Sequence, residues 1–198
     1  MPEPGTRDVK LIQYLNEAYG KEKELETALR AHIAMTTRRT YKKRLEQHLR
    51  ETKGHARAVE RRIKQLGGKA EAMPAPGPEA VSEAAGSAVA SVASKTVAAA
   101  KGPLHMLRGT GEEEKLLKNA KTEYSEEAEE IATYTAIETL ADTVGDRETA
   151  KVARGIRREE ERMQRFLERL IPQLTRAVAR AEIPASERNG GRGRRRRS

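Results

Sequence analysis

DVKLIQYLNEAYGKEKELETALRAHI (residues 8–33) places Leu11, Leu15, Tyr19, Leu25, Leu29 and Ile33 at steps of mostly three and four. That is the spacing of one face of an α-helix. One position breaks the pattern. Glu22 lies three residues after Tyr19 and three before Leu25, where the repeat expects an apolar side chain. The stretch therefore predicts a long amphipathic helix with a carboxylate on its buried face, starting near Thr6 as N-cap and ending near Met35.

Three further segments repeat the theme. Leu45, Leu49, Ala56, Val59, Ile63 and Leu66 mark a second helix, stopped by Gly67-Gly68, and the short link at Thr36-Thr37 makes the first two an antiparallel hairpin. Glu112-Glu113-Glu114, suited to a helix N-terminus, opens a third helix through Leu116, Tyr124, Ile131, Tyr134, Ile137, Leu140 and Val144, which breaks at Gly145. Asp146 caps a fourth, carrying Val152, Ile156, Met163, Leu167, Leu170 and Leu174, in which Pro172 should kink the helix or leave one hydrogen bond unmade. Two short links and one long one predict an all-α, ferritin-like four-helix bundle over residues 7–181, with a long Ala/Pro/Gly-rich crossover (69–111) between helices 2 and 3. Residues 1–6 form an N-terminal arm, and residues 182–198 an Arg-rich tail expected to be disordered.

Composition agrees and excludes alternatives. Of 198 residues, 35% are charged and 3% aromatic, with no Cys or Trp. This is too few aromatic residues for a β-sandwich or barrel, and there is no disulfide framework or thiolate chemistry. The most apolar stretch, 79–100, is rich in Ala and Ser and interrupted by Glu83 and Lys95, so no membrane span is expected. The N-terminus has no signal-peptide pattern, and a cytoplasmic protein is expected. The net charge of +9 is uneven: residues 38–69 carry 12 Lys/Arg against three Glu, whereas residues 112–146 carry three Lys against 11 Asp/Glu.

Carboxylates inside the apolar stripes are the chemical signal. Glu127 falls between Tyr124 and Ile131, and Glu160 between Ile156 and Met163. In the second helix the stripe passes through His48, Thr52 and His55, with Glu51 beside them. Glu51 and His55, at i and i+4, stand on neighbouring turns of one face. A buried, unpaired carboxylate is expensive, and a pair of metal ions is one stable solution. Oxygen ligands with one or two imidazoles suit iron or manganese. The candidate ligands are Glu22, Glu51, His55, Glu127 and Glu160. The competing reading is a metal-free bundle in which stripe-edge carboxylates reach solvent or pair with Arg50 and Lys53.

The segments DVKLIQYLNEAYGKEKELETAL, HLRETKGHARAVERRI and EEIATYTAIETLADTVGDRETAK resemble the YciE/YciF-type family of bacterial ferritin-like stress proteins. The likeness covers most of residues 7–175 outside the enlarged crossover. It implies a dimeric four-helix bundle with a di-metal carboxylate centre and a role in stress or iron handling, at most with ferroxidase or peroxide-consuming activity. Glu22 and Glu127 match the first- and third-helix ligands, and Glu159-Glu160-Glu161 matches the fourth. Where some members read Glu-Glu-Thr-His, this chain reads Arg50-Glu51-Thr52-Lys53, and Met163 and Gln164 stand where a second fourth-helix ligand is common.

The tail ends NGGRGRRRRS. Arg192, Arg194, Arg195, Arg196 and Arg197 form a candidate phosphate-binding run, and counterion release predicts non-specific, salt-sensitive association with DNA. An acidic membrane surface is the competing partner.

Overall fold

The computed structural model of the chain describes residues 5–72 and 111–188. They form four long helices, α1 (Thr6–Met35), α2 (Arg39–Gln65), α3 (Glu112–Thr143) and α4 (Arg147–Glu182), followed by a single turn, α5 (Ala185–Arg188). No strand occurs among the described residues. The fold is an all-α bundle. Most of the expected crossover, the N-terminal arm up to Pro4, and the arginines at 192 and 194–197 lie outside the described residues.

The helix ends follow local chemistry. Thr6 is the first helical residue rather than the cap. Gly5 occupies the cap position without a side-chain bond, and its carbonyl accepts from Val9 N at 2.9 Å. At the other end of the hairpin, Gly67 adopts φ +83°, a left-handed conformation that favours glycine. Its N–H donates to Lys64 O at 3.1 Å and Gly68 N–H donates to Ile63 O at 2.9 Å, closing α2 with paired C-terminal bonds. Beyond it, the Asn16 side chain pins the departing chain to α1. Its amide donates to Lys69 O at 3.3 Å and its oxygen accepts from Glu71 N at 2.9 Å.

The α3–α4 turn uses the same device. Gly145 sits at φ +76°, while Gly145 N and Asp146 N donate to Asp142 O and Ala141 O at 3.2 and 2.8 Å. Asp146 then caps α4, accepting from Thr149 N at 3.0 Å and from Thr149 Oγ1 at 2.8 Å. Arg62 from the end of α2 donates to both Asp146 oxygens, at 2.9 and 2.6 Å, and to Thr149 Oγ1 at 2.7 Å. One charged network therefore ties two helix ends together.

The described residues divide into two compact units, 5–72 with 125–164 and 111–124 with 165–188. The first holds one apolar cluster to which all four long helices contribute. Leu11, Leu15 and Ala18 come from α1, and Val59, Ile63 and Leu66 from α2 and its cap. Tyr134, Ile137 and Ala141 come from α3, and Ala150, Ala153 and Ile156 from α4. Next along each stripe stands a polar residue: Glu22, His55, Glu130 and Glu160. Read from the same end, α1 and α4 run upward in number while α2 and α3 run downward. Parallel α2 and α3 cannot be joined by a tight turn.

In the second unit Leu116, Ala120, Leu167, Leu170 and Leu174 are buried, and Tyr124 Oη donates to Glu168 Oε1 at 3.2 Å. Helix α4 continues through Pro172 to Glu182, without the bond that the missing N–H of proline would have made. The tail expected from residue 182 begins instead with ordered turns. Glu187 N and Arg188 N donate to Pro184 O at 3.0 and 3.2 Å, and Arg188 Nη1 donates to Arg180 O at 2.9 Å.

Candidate metal centre

Below the apolar layer of the first unit, two groups of ligand-capable atoms converge. His48, Glu127, Glu130 and Glu160 form one, and Glu22, His55 and Glu160 the other, with the atoms of each group within 4.8 Å of one another. Glu160 belongs to both. Of these six side chains, the most exposed are His55 at 5% and Glu130 at 4%. Four carboxylates thus share a buried site with two imidazoles.

The contacts inside the site are close but not aligned. His48 Nε2 lies 2.9 Å from Glu127 Oε1 and 3.7 Å from Glu160 Oε2. His55 Nδ1 lies 2.8 Å from Glu160 Oε1 and 3.5 Å from Glu22 Oε1. Yet His48 Nε2, His55 Nδ1 and both oxygens of Glu127, Glu130 and Glu160 have no properly directed hydrogen-bond partner, and neither has Glu22 Oε2. Native interiors rarely leave such groups unpaired. Atoms that crowd together without pointing at each other suit ligands of a common cation, and nitrogen plus carboxylate oxygen suits iron or manganese. The donor set fits a metal.

The surrounding groups hold the ligands from outside. The second nitrogen of His55, Nε2, lies 2.9 Å from Glu159 Oε2. The second nitrogen of His48, Nδ1, makes a longer contact of 3.4 Å with Glu51 Oε2. A carboxylate behind an imidazole fixes its tautomer and turns the opposite nitrogen toward the centre. Glu51 is itself held by Arg44 Nη1 and Gln47 Nε2, each at 2.9 Å. Tyr134 Oη donates to Glu22 Oε1 at 2.5 Å, positioning that carboxylate.

Electrostatics reflect this crowding. Burial raises the pKa of Glu22 and Glu130, and the neighbouring carboxylates add to the effect. Burial also lifts Glu127, to about 8, against the charge of His48. For the imidazoles burial alone would lower the pKa. The charges of Glu127 and Glu160 and contact with Glu51 nevertheless hold His48 up at about 10, and contacts with Glu160 and Glu22 hold His55 at about 11. Glu160 goes the other way. Burial raises it, but His55 and His48 together bring it below the ordinary value. Burial works against Glu51 too, yet His48 and Arg44 lower it to about 2.

Of the residues expected from sequence, Glu22, His55, Glu127 and Glu160 stand in the two groups. Glu51 does not join them. It sits on the shoulder of the α2 stripe and faces Arg44, so its part is behind His48. Arg50 is exposed, and Lys53 reaches only Glu26 Oε1 at 4.0 Å. Neither cation therefore enters the carboxylate cluster, whose nitrogen groups are the two imidazoles. His48, Glu130 and Tyr134 were not among the expected site residues, and Glu159 entered only as part of the Glu159–Glu161 run. His48 was visible as a stripe residue, and Glu130 stands one helical step, i+3, from Glu127.

The family described as "Domain of unknown function (DUF892)" matches residues 6–101 and 79–180. No curated protein matches the chain. Among solved structures, a protein from Xanthomonas campestris is similar, at 24% identity and TM-score 0.66, over 89% of this chain and 99% of that one. The Escherichia coli stress protein YciF is similar at 22% identity and TM-score 0.62, over 86% of this chain and 98% of that one. A Desulfovibrio desulfuricans bacterioferritin, described with a diiron site, aligns at 17% identity and TM-score 0.63, over 89% of this chain and 86% of that one. These likenesses establish a shared ferritin-like fold. The family match spans nearly the whole folded chain, which belongs to the DUF892 family.

Proposed function

We propose that this protein holds two iron or manganese ions in the core of its bundle, as a cytoplasmic, dimeric stress-response protein. The observation that carries the reading is the pair of buried donor groups sharing Glu160, the atoms of each within 4.8 Å of one another and most of them without aligned partners. His48, Glu127 and Glu130 would serve one ion, Glu22 and His55 the other, with Glu160 between them. When bound, such ions supply oxygen or peroxide reduction. The chain's own part is to exclude water, fix both imidazoles through Glu159 and Glu51, and hold Glu22 in place through Tyr134.

The test is metal content by mass spectrometry after loading with iron or manganese. Wild type should retain about two ions per chain, and Glu160→Ala should lose both. Retention by wild type no greater than by the variant would sink the reading.

The run at Arg192 and Arg194–Arg197 supports a separate proposal, non-specific association with DNA, on charge alone: residues 187–198 carry six Arg against one Glu. Ending the chain at Glu187 should weaken DNA retention and flatten its salt dependence. Equal salt slopes for the two chains would remove the tail from any such role.

A further inference from the structure

A cavity of about 100 Å³ opens between α1 and α3, lined by Lys21, Glu24 and Leu25 on one side and Glu126, Glu129 and Glu130 on the other. The lining residues lie on matching faces of their helices at steps of three and four. This space is several times the roughly 10–15 Å³ that one water occupies on the same measure. Glu130 is the key residue. It is 4% exposed, neither of its oxygens has a hydrogen-bond partner, and it belongs both to this cavity and to the donor group with His48, Glu127 and Glu160. Across the lining, Lys21 Nζ lies 2.6 Å from Glu129 Oε1, with Lys21 partly covered and Glu129 about half exposed.

We propose that this cavity is the port through which a divalent cation reaches the core, with Glu24 and Glu129 attracting it, Lys21 opposing it, and Glu130 receiving it. The proposal rests on the reading of the core as a metal centre. Three carboxylates ahead of Glu130 face one ammonium, so the field at the opening favours cations. Low-dielectric walls such as Leu25 concentrate that field. A cation at the opening meets oxygen ligands stepwise: Glu24 and Glu129 at the outside, then Glu130 within the donor group. The Lys21 ammonium holds Glu129 until an arriving cation competes for the carboxylate.

The experiment is stopped-flow mixing of the full chain with Co²⁺ alone, followed by the visible absorption of the bound ion, with final absorbance as a separate readout. A Glu24→Gln/Glu129→Gln double variant leaves every core donor intact. It should take up Co²⁺ about tenfold more slowly at low salt and reach the same final absorbance. Lys21→Gln should be faster than wild type. Unchanged rates in both variants, with full uptake by wild type, overturn the port and leave the metal centre standing. No uptake by wild type overturns the metal centre and the port with it.

Discussion

Asp146 shows how much one side chain can tie together. Its carboxylate caps α4 and receives a two-pronged bond from Arg62 at the end of α2, while its backbone N–H closes α3. Losing a helix cap costs about 1 kcal/mol, and losing a charge-assisted bond costs somewhat more. Asp146→Ala should therefore lower stability by about 1–3 kcal/mol in urea unfolding. Burial alone would raise the Asp146 pKa, but the bonds from Thr149 and Arg62 win and lower it from 3.8. A depressed folded pKa means that the stabilisation is complete above the unfolded value and fades as pH falls through the folded one. The gap between wild type and Asp146→Ala should be constant near neutrality and shrink from about pH 4 downward. A gap that stays constant into that acid range would show that the ionised form of Asp146 contributes nothing.

At the scale of the helix, the glycine stops are as informative as the stripes. Gly145 has open space around its missing Cβ, so only its φ of +76° resists substitution. Gly145→Ala should cost about 1–2 kcal/mol, read as a lower thermal midpoint with metal binding unchanged. Those stops, and the existence and order of four helices, were legible in the sequence because glycine punctuation and three/four periodicity are local signals. The exact face of α3 was not. Its large residues Tyr124, Ile131 and Leu140 suggested the stripe, but they are only partly buried. The buried line runs through Leu116, Ala120, Glu123, Glu127, Glu130, Tyr134, Ile137 and Ala141. Small and charged residues occupy its centre, so weighting by apolar size shifted the reading toward one shoulder and hid Glu130. In α1 the same effect favoured Tyr19 over the buried Ala18. Glu51 stands apart from the two donor groups for the opposite reason. Spacing alone placed it beside His55, and only the fold reveals that Arg44 draws it outward.

For the molecule as a whole, the core carboxylates set stability against metal binding. Glu130 is buried with both oxygens unpaired, an arrangement that destabilises a protein without a bound cation and that an apolar residue of similar size relieves. Metal-free Glu130→Met should thus melt above metal-free wild type, by an amount matching about 1–3 kcal/mol. Adding Mn²⁺ should reverse the order. A ligand that binds only the folded state stabilises it by about 1.4 kcal/mol per tenfold excess over its dissociation constant, and the variant lacks one donor with which to gain that stabilisation. Thermal melts of both proteins, with chelator and across a Mn²⁺ titration, provide the check. The crossing of the two curves is the diagnostic result, because a purely structural Glu130 would leave the order of the two proteins independent of metal. If wild type proves the more stable even with chelator present, Glu130 is satisfied without a cation, and the donor group built around it loses its physical basis.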